Sequence, residues 1–104
     1  MGHTAEKTTR YQLVITSGME PGLAIRVRPS GTTLGTVGEF AMAFSFDITV
    51  ARRHAKLYVE SGQLMIEDLG SQTGTYINGT RIDGPAPLQA DDLVWIGATA
   101  LRVS

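Results

Sequence analysis

The sequence contains no cysteine, which excludes disulfide staples, thiolate nucleophiles and sulfur-ligated metal sites. It also has no apolar run approaching the roughly eighteen residues of a membrane-spanning helix. Its first ten residues, MGHTAEKTTR, lack the apolar stretch of a secretory signal. Those two absences set the expectation of a cytoplasmic chain with no membrane partner. Charge is sparse and balanced, with nine Lys and Arg against ten Asp and Glu, so no basic excess offers itself to nucleic acid. Histidine is scarce too. His3 falls in a polar stretch, Met1 to Thr9, read as a frayed tail, and His54 alone cannot complete a typical zinc site. No metal and no cofactor is expected. At 104 residues the chain can bury one modest core but not two, which assigns residues 10–104 to a single domain.

Short apolar–polar alternations fill that domain, bounded by glycine, proline and serine at spacings of about eight to twelve residues, and no amphipathic helix is evident. YQLVIT (Tyr11 to Thr16) reads as a first strand. In LAIRVR (Leu23 to Arg28), Leu23, Ile25 and Val27 share one face and Arg26 and Arg28 the other, a period of two. TTLGT (Thr32 to Thr36) follows the Pro29–Gly31 break. KLYVE and QLMIED flank Ser61-Gly62, and TYI and RI flank Asn78-Gly79; both pairs suit tight hairpin turns. DLVWIG and TALRV close the chain as a terminal hairpin. The fold class is all-β, with about ten or eleven short strands.

Val37 to Phe46, VGEFAMAFSF, fits neither a clean strand nor a convincing helix. Its phenylalanines and methionine read either as core filling or as an exposed partner-binding patch, and both readings stay open.

Catalytic motifs were sought. Gly70 to Gly74 places serine one position too early for a nucleophile elbow, and Gly35 to Gly38 lacks the lysine of a phosphate-binding loop. A triad of Ser71, His54 and Asp68 can be assembled only from residue types. Asp91-Asp92 reads as the opening of a strand at a turn, and the sequon at Asn78 sits in a tight turn. The expectation is a chain that is not an enzyme. Arg52, Arg53 and Lys56, around His54, form the densest basic cluster, either a solvated loop or an anion site.

The order of motifs from Asp47 to Gly79 resembles the central portion of a forkhead-associated (FHA) domain, a β-sandwich that reads phosphothreonine. That family's pattern runs Gly-Arg, then Ser-Arg-x-His, then Leu-Gly-Ser-x-Asn-Gly-Thr, then an Asn-Gly turn. Gly35, Arg52, His54, Leu69, Gly70, Ser71, Gly74, Thr75, Asn78 and Gly79 match it. The resemblance implies a two-sheet FHA-like sandwich in which Gly35, His54, Ser71, Gly74, Thr75 and Gly79 shape the loops. It also implies that phosphate and peptide contacts fall at Thr36, Ala51 and Thr73, where the family has arginine, serine and asparagine.

A phosphate dianion gives up strong hydration on binding and needs charge-assisted donors in return. Each such hydrogen bond is worth about 1.5–3 kcal/mol, so losing two weakens binding by about two to four decades. The leading expectation is therefore a protein or peptide partner bound without a phosphate requirement through Thr36, Ala51, Arg52, Arg53, Gln72, Thr73 and Asn78. One alternative is a phosphothreonine reader that uses Arg52 or Arg53. Another is a self-associating structural domain, the chain otherwise being a monomer or weak homo-oligomer.

Overall fold

A computed structural model describes residues 11–104, and the tail expected over Met1 to Thr9 lies outside them. The chain forms β1 (Gln12–Ser17), β2 (Ala24–Arg26), β3 (Thr32–Leu34), α1 (Ala41–Phe44), β4 (Ala55–Glu60) and β5 (Gln63–Asp68). It continues through β6 (Thr75–Ile77), β7 (Thr80–Arg81), β8 (Ala86–Pro87), β9 (Leu93–Ile96) and β10 (Thr99–Val103). These strands make two antiparallel sheets, ordered β2-β1-β10-β9-β6-β7 and β3-β4-β5-β8. The expected sandwich is present, with ten strands.

The period-two alternation decides which side chains meet between the sheets. Leu13 pairs with Ile25 on one side and Val103 on the other, while Leu57 pairs with Ile66 in the second sheet. All five are buried, together with Ile15, Leu34, Leu64, Val94, Ile96 and Leu101, and they form one continuous core. Leu23, expected on that inner face, lies before β2 and is exposed, because the inward alternation starts only at Ile25. Both short hairpins have positive φ at both central residues, Ser61 and Gly62 in one and Asn78 and Gly79 in the other, as type I′ turns require.

Register also decides which loops gather at one end. Leu34, Ala55 and Asp68 lie side by side in one sheet, and Thr75 faces Ile96 in the other. The segments leaving these positions, residues 35–54, 69–74 and 97–98, therefore emerge together.

The ambiguous segment turns out to be one helical turn, α1. Against the FHA pattern this segment takes the place of the fourth strand and the loop before it, but no strand occurs between Leu34 and Ala55. Its apolar residues divide between the core and the surface. Phe44 and Ala43 are buried in the core and Phe40 packs against it, while Met42 and Phe46 point outward, 75% and 66% exposed. Phe44→Ala is expected to cost about 3–5 kcal/mol of stability, whereas Phe46→Ala should shift it by no more than about 0.5 kcal/mol. Urea denaturation of the two variants at low protein concentration checks the contrast.

Candidate functional site

The loop end is built around three backbone approaches. Gly35 ends β3 so close to the 51–52 segment that a Cβ there would sit 2.0 Å from the Arg52 carbonyl oxygen. Only glycine lets the Thr36 and Val37 N–H groups donate to the Ala51 and Arg52 carbonyls at 3.2 and 3.3 Å. His54 is fully buried, its own N–H donating to Leu34 and its carbonyl accepting from Leu69. Its ring spans the gap between loops. The Ala51 N–H donates to Nδ1 at 3.0 Å, and Nε2 lies 2.8 Å from the Gly74 carbonyl oxygen. Since an N–H can only donate and a carbonyl only accept, the proton resides on Nε2. Both nitrogens are thus committed to backbone, which leaves no lone pair for removing a serine proton. The Ser71 hydroxyl donates instead to Asp68 Oδ1.

Two carboxylates that sequence reasoning did not single out as loop braces hold the rest. Asp68 accepts from the Gly70 and Ser71 N–H groups and from the Ser71 and Thr75 hydroxyls. The Ser71 hydroxyl in turn accepts from the Gly74 N–H. Asp47 accepts from the Thr49 N–H and hydroxyl, and its other oxygen accepts from the Ala98 N–H and the Thr99 hydroxyl. Acidic residues followed two or three positions later by glycine, serine or threonine are Asx-turn spacings, a signal that could have marked both. Burial alone raises each carboxyl's pKa, but these hydrogen bonds outweigh it and hold both below their ordinary value. Arg81 was also missed. Its guanidinium lies over Gly74, where a Cβ would come within 2.6 Å of Nε. Gly74 also has φ +88, so glycine is required there on two counts.

Within this frame Thr36, Ala51 and Thr73 come together. Thr36 bonds directly to Ala51, and the Thr73 hydroxyl donates to the Thr49 carbonyl at 2.7 Å, tying the two loops to each other. Gln72 is exposed at the loop tip beside Thr73, and Arg52 is exposed next to Ala51.

Other residues expected at this site lie apart. Arg53 turns to a second groove, shared with Thr33, Val37 and Leu69, that also holds the Arg28–Glu39 ion pair. Lys56 points along the outer face of β4, its ammonium 5.9 Å from the centre of the Tyr58 ring, so the basic cluster disperses. Asn78 is separated from Gly74 by the length of β6. Its amide donates to Asp92 and accepts from the Leu93 N–H, fixing the chain before β9. Gly79 completes its turn. Among the described residues, no three His, Cys, Asp or Glu side chains converge to hold a metal ion.

The depressed carboxyls make stability acid-sensitive. In the unfolded chain the two carboxyls bind protons near the ordinary 3.8, above their folded values, so their contribution is complete above that pH and fades as pH falls through the lower folded values. The thermal midpoint is expected to fall progressively as pH drops below about 4. Asp68→Asn should cost about 2 kcal/mol at neutral pH and flatten that acid slope. Calorimetry across the pH range checks both.

The geometry agrees with comparisons to known proteins. The FHA domain family model matches residues 32–97. The chain is 44% identical over 54 residues to the glycogen accumulation regulator GarA of Mycolicibacterium smegmatis, covering 52% of this chain and 34% of that protein. It is 34% identical over 85 residues to the oxoglutarate dehydrogenase inhibitor of Corynebacterium efficiens, covering 82% and 58%. It therefore spans about a third to three fifths of the length of these curated relatives. Among solved structures it is similar to the FHA domain of CT664 from Chlamydia trachomatis, with 25% identity, a TM-score of 0.79 and coverage of 91% of this chain and 96% of that one. It is likewise similar to the FHA domain of an Arabidopsis thaliana protein, with 26% identity, a TM-score of 0.80 and coverage of 91% and 84%. A family match over most of the chain, on a scaffold whose glycine, histidine and serine positions do the work described above, leads to one conclusion: the chain belongs to the FHA domain family.

Proposed function

We propose that this chain is a non-enzymatic protein-interaction domain, acting in the cytosol, whose loop end binds a partner polypeptide without requiring a phosphate. The contact residues are Thr36, Ala51, Arg52, Gln72 and Thr73, with Arg53 on the flank, while Asn78 serves its turn. The observation that carries this reading is the chemistry at the three converging positions. Thr36 brings no charge, Ala51 has no side-chain donor, and the Thr73 hydroxyl already donates to the Thr49 carbonyl. A phosphate dianion placed there would lose its hydration and receive no charge-assisted replacement from any of these three side chains. A rigid set of loops with exposed backbone and amide groups still suits an extended peptide. GarA is named as a regulator and the Corynebacterium relative as an enzyme inhibitor, which supports a role in binding other proteins.

A second reading, a phosphothreonine reader with a relocated cation, is favoured by one observation. Arg53 lines its groove next to Val37 and Leu69, at the edge of the same loops.

Fluorescence anisotropy separates the two. A pool of degenerate phosphothreonine peptides and its unphosphorylated twin are titrated against this chain and against a Thr36→Arg, Ala51→Ser, Thr73→Asn triple variant. The unmodified chain is expected to treat both pools alike, and the triple variant to prefer the phosphorylated pool by about 100-fold or more. A phosphate preference in the unmodified chain that Arg52→Ala or Arg53→Ala abolishes would establish the relocated site instead.

A further inference from the structure

Asn78 is the chain's single asparagine, and glycine follows it. Asparagine is a chemically labile residue, and a glycine after it leaves the next backbone nitrogen unhindered in its approach to the side-chain Cγ. In the reaction this pair allows, the Gly79 nitrogen gives up its proton and bonds to the Asn78 Cγ while the Cγ–Nδ2 bond breaks. The departing nitrogen leaves with that proton as ammonia. Water then opens the five-membered imide at either carbonyl. One opening gives aspartate, and the other gives isoaspartate, in which the main chain runs through Cβ and Cγ. An asparagine and a water are consumed and an aspartyl residue and ammonia are formed, so no other reactant is required.

The surroundings admit the water. Asn78 and Gly79 are both exposed at the β6–β7 turn, and a Cβ added to Gly79 would meet nothing within 4 Å. What restrains the reaction is the attachment of the amide to the chain entering β9. Nδ2 donates to Asp92 Oδ1 at 2.9 Å, and Oδ1 accepts from the Leu93 N–H at 2.9 Å. The main chain is tied at the same place, where the Asn78 N–H donates to the Leu93 carbonyl at 2.8 Å. Attack turns the planar Cγ tetrahedral and draws it toward Gly79, which pulls both amide atoms off the partners that fix them.

The product cannot restore this strap. Aspartate has an oxygen where Nδ2 donated, 2.9 Å from the Asp92 carboxylate, so an attraction becomes a like-charge contact. Asp92 is not free to turn away, because its second oxygen accepts from the Gln89 N–H. Isoaspartate lengthens the main chain by one atom inside a two-residue turn, between strands whose register is set residue by residue.

We propose that Asn78 is a deamidation site gated by the fold. It is protected while it straps the β6–β7 turn to Asp92 and Leu93, reactive when that hairpin leaves β9, and irreversibly altered once it has reacted. β6 begins at Thr75, directly after Thr73 and Gly74, so modification loosens the strand behind the loop end. This proposal goes beyond the reading of the loop end and does not rest on it.

The chain is incubated at mildly alkaline pH, folded and in guanidinium chloride, and peptide mapping by mass spectrometry follows the NH-to-O mass gain at Asn78. Asp83-Gly84 closes a similar ring but loses and regains water with no net mass change, so it stays out of the count. The unfolded chain is expected to react at least about tenfold faster than the folded one, a factor that the hydrogen bond to the Asp92 carboxylate supplies by itself. Asp92→Ala, shown to be folded by circular dichroism, should react faster than the unmodified chain when folded and at the same rate when unfolded. Asn78→Asp makes the product directly, and its folding equilibrium constant should fall by about tenfold or more at neutral pH. Equal rates in the folded and unfolded chain would overturn the proposal. So would a folded Asp92→Ala chain that reacts no faster, or an Asn78→Asp chain as stable as the unmodified one.

Discussion

The His54 imidazole is the interaction on which the loop end depends. One fully buried ring accepts from the Ala51 N–H and donates to the Gly74 carbonyl, joining segments twenty residues apart in sequence. Burying a polar ring is favourable only when both nitrogens are paired, and here both partners are backbone groups. Losing the ring would leave the buried Gly74 carbonyl unsatisfied, at a cost of about 1–3 kcal/mol, and free the partly buried Ala51 N–H. The same commitment removes His54 from chemistry, because a nitrogen that donates to one backbone group and another that accepts from a second have nothing left for a substrate.

Around that ring the frame of the loop end is built mostly from side chains other than those of Thr36, Ala51 and Thr73. Gly35, Ser71, Gly74 and Thr75 bring loops together, and Asp68 and Asp47 brace them from beneath. None of these contacts depends on what occupies Thr36, Ala51 or Thr73. Changing the side chains of Thr36 or Ala51 therefore leaves the frame standing, whereas the Thr73 hydroxyl also ties its loop to Thr49. Near the loops, the projecting side chains of Phe46 and Ile48 add exposed apolar surface.

Much of this arrangement was legible in the sequence, for identifiable physical reasons. Strands such as QLMIED appear as read, because alternation is local and a two-residue turn fixes the hairpin register. The scaffold roles of Gly35 and His54 were carried by their place in the motif order. What escaped was long-range. Asp47 meets Ala98 fifty-one residues away, and Arg81 reaches Gly74 only because β6 and β7 fold back on each other. Val37 to Phe46 stayed ambiguous because a single helical turn is too short to display a helical period. Asn78 read both as a turn former and as a contact; in the fold it forms the turn and its amide bonds to Asp92 and Leu93, a use that spacing alone could not reveal.

The most direct test of the account is the tautomer of His54, read by long-range proton–nitrogen correlation in the folded chain at neutral pH. The account predicts a neutral ring with its proton on Nε2, slow to exchange because it is buried against the Gly74 carbonyl, and an unprotonated Nδ1 accepting from Ala51. A proton on Nδ1, or an Nε2 proton that exchanges at the rate of an exposed imidazole, would contradict it, because the loops would then be held by something other than this ring.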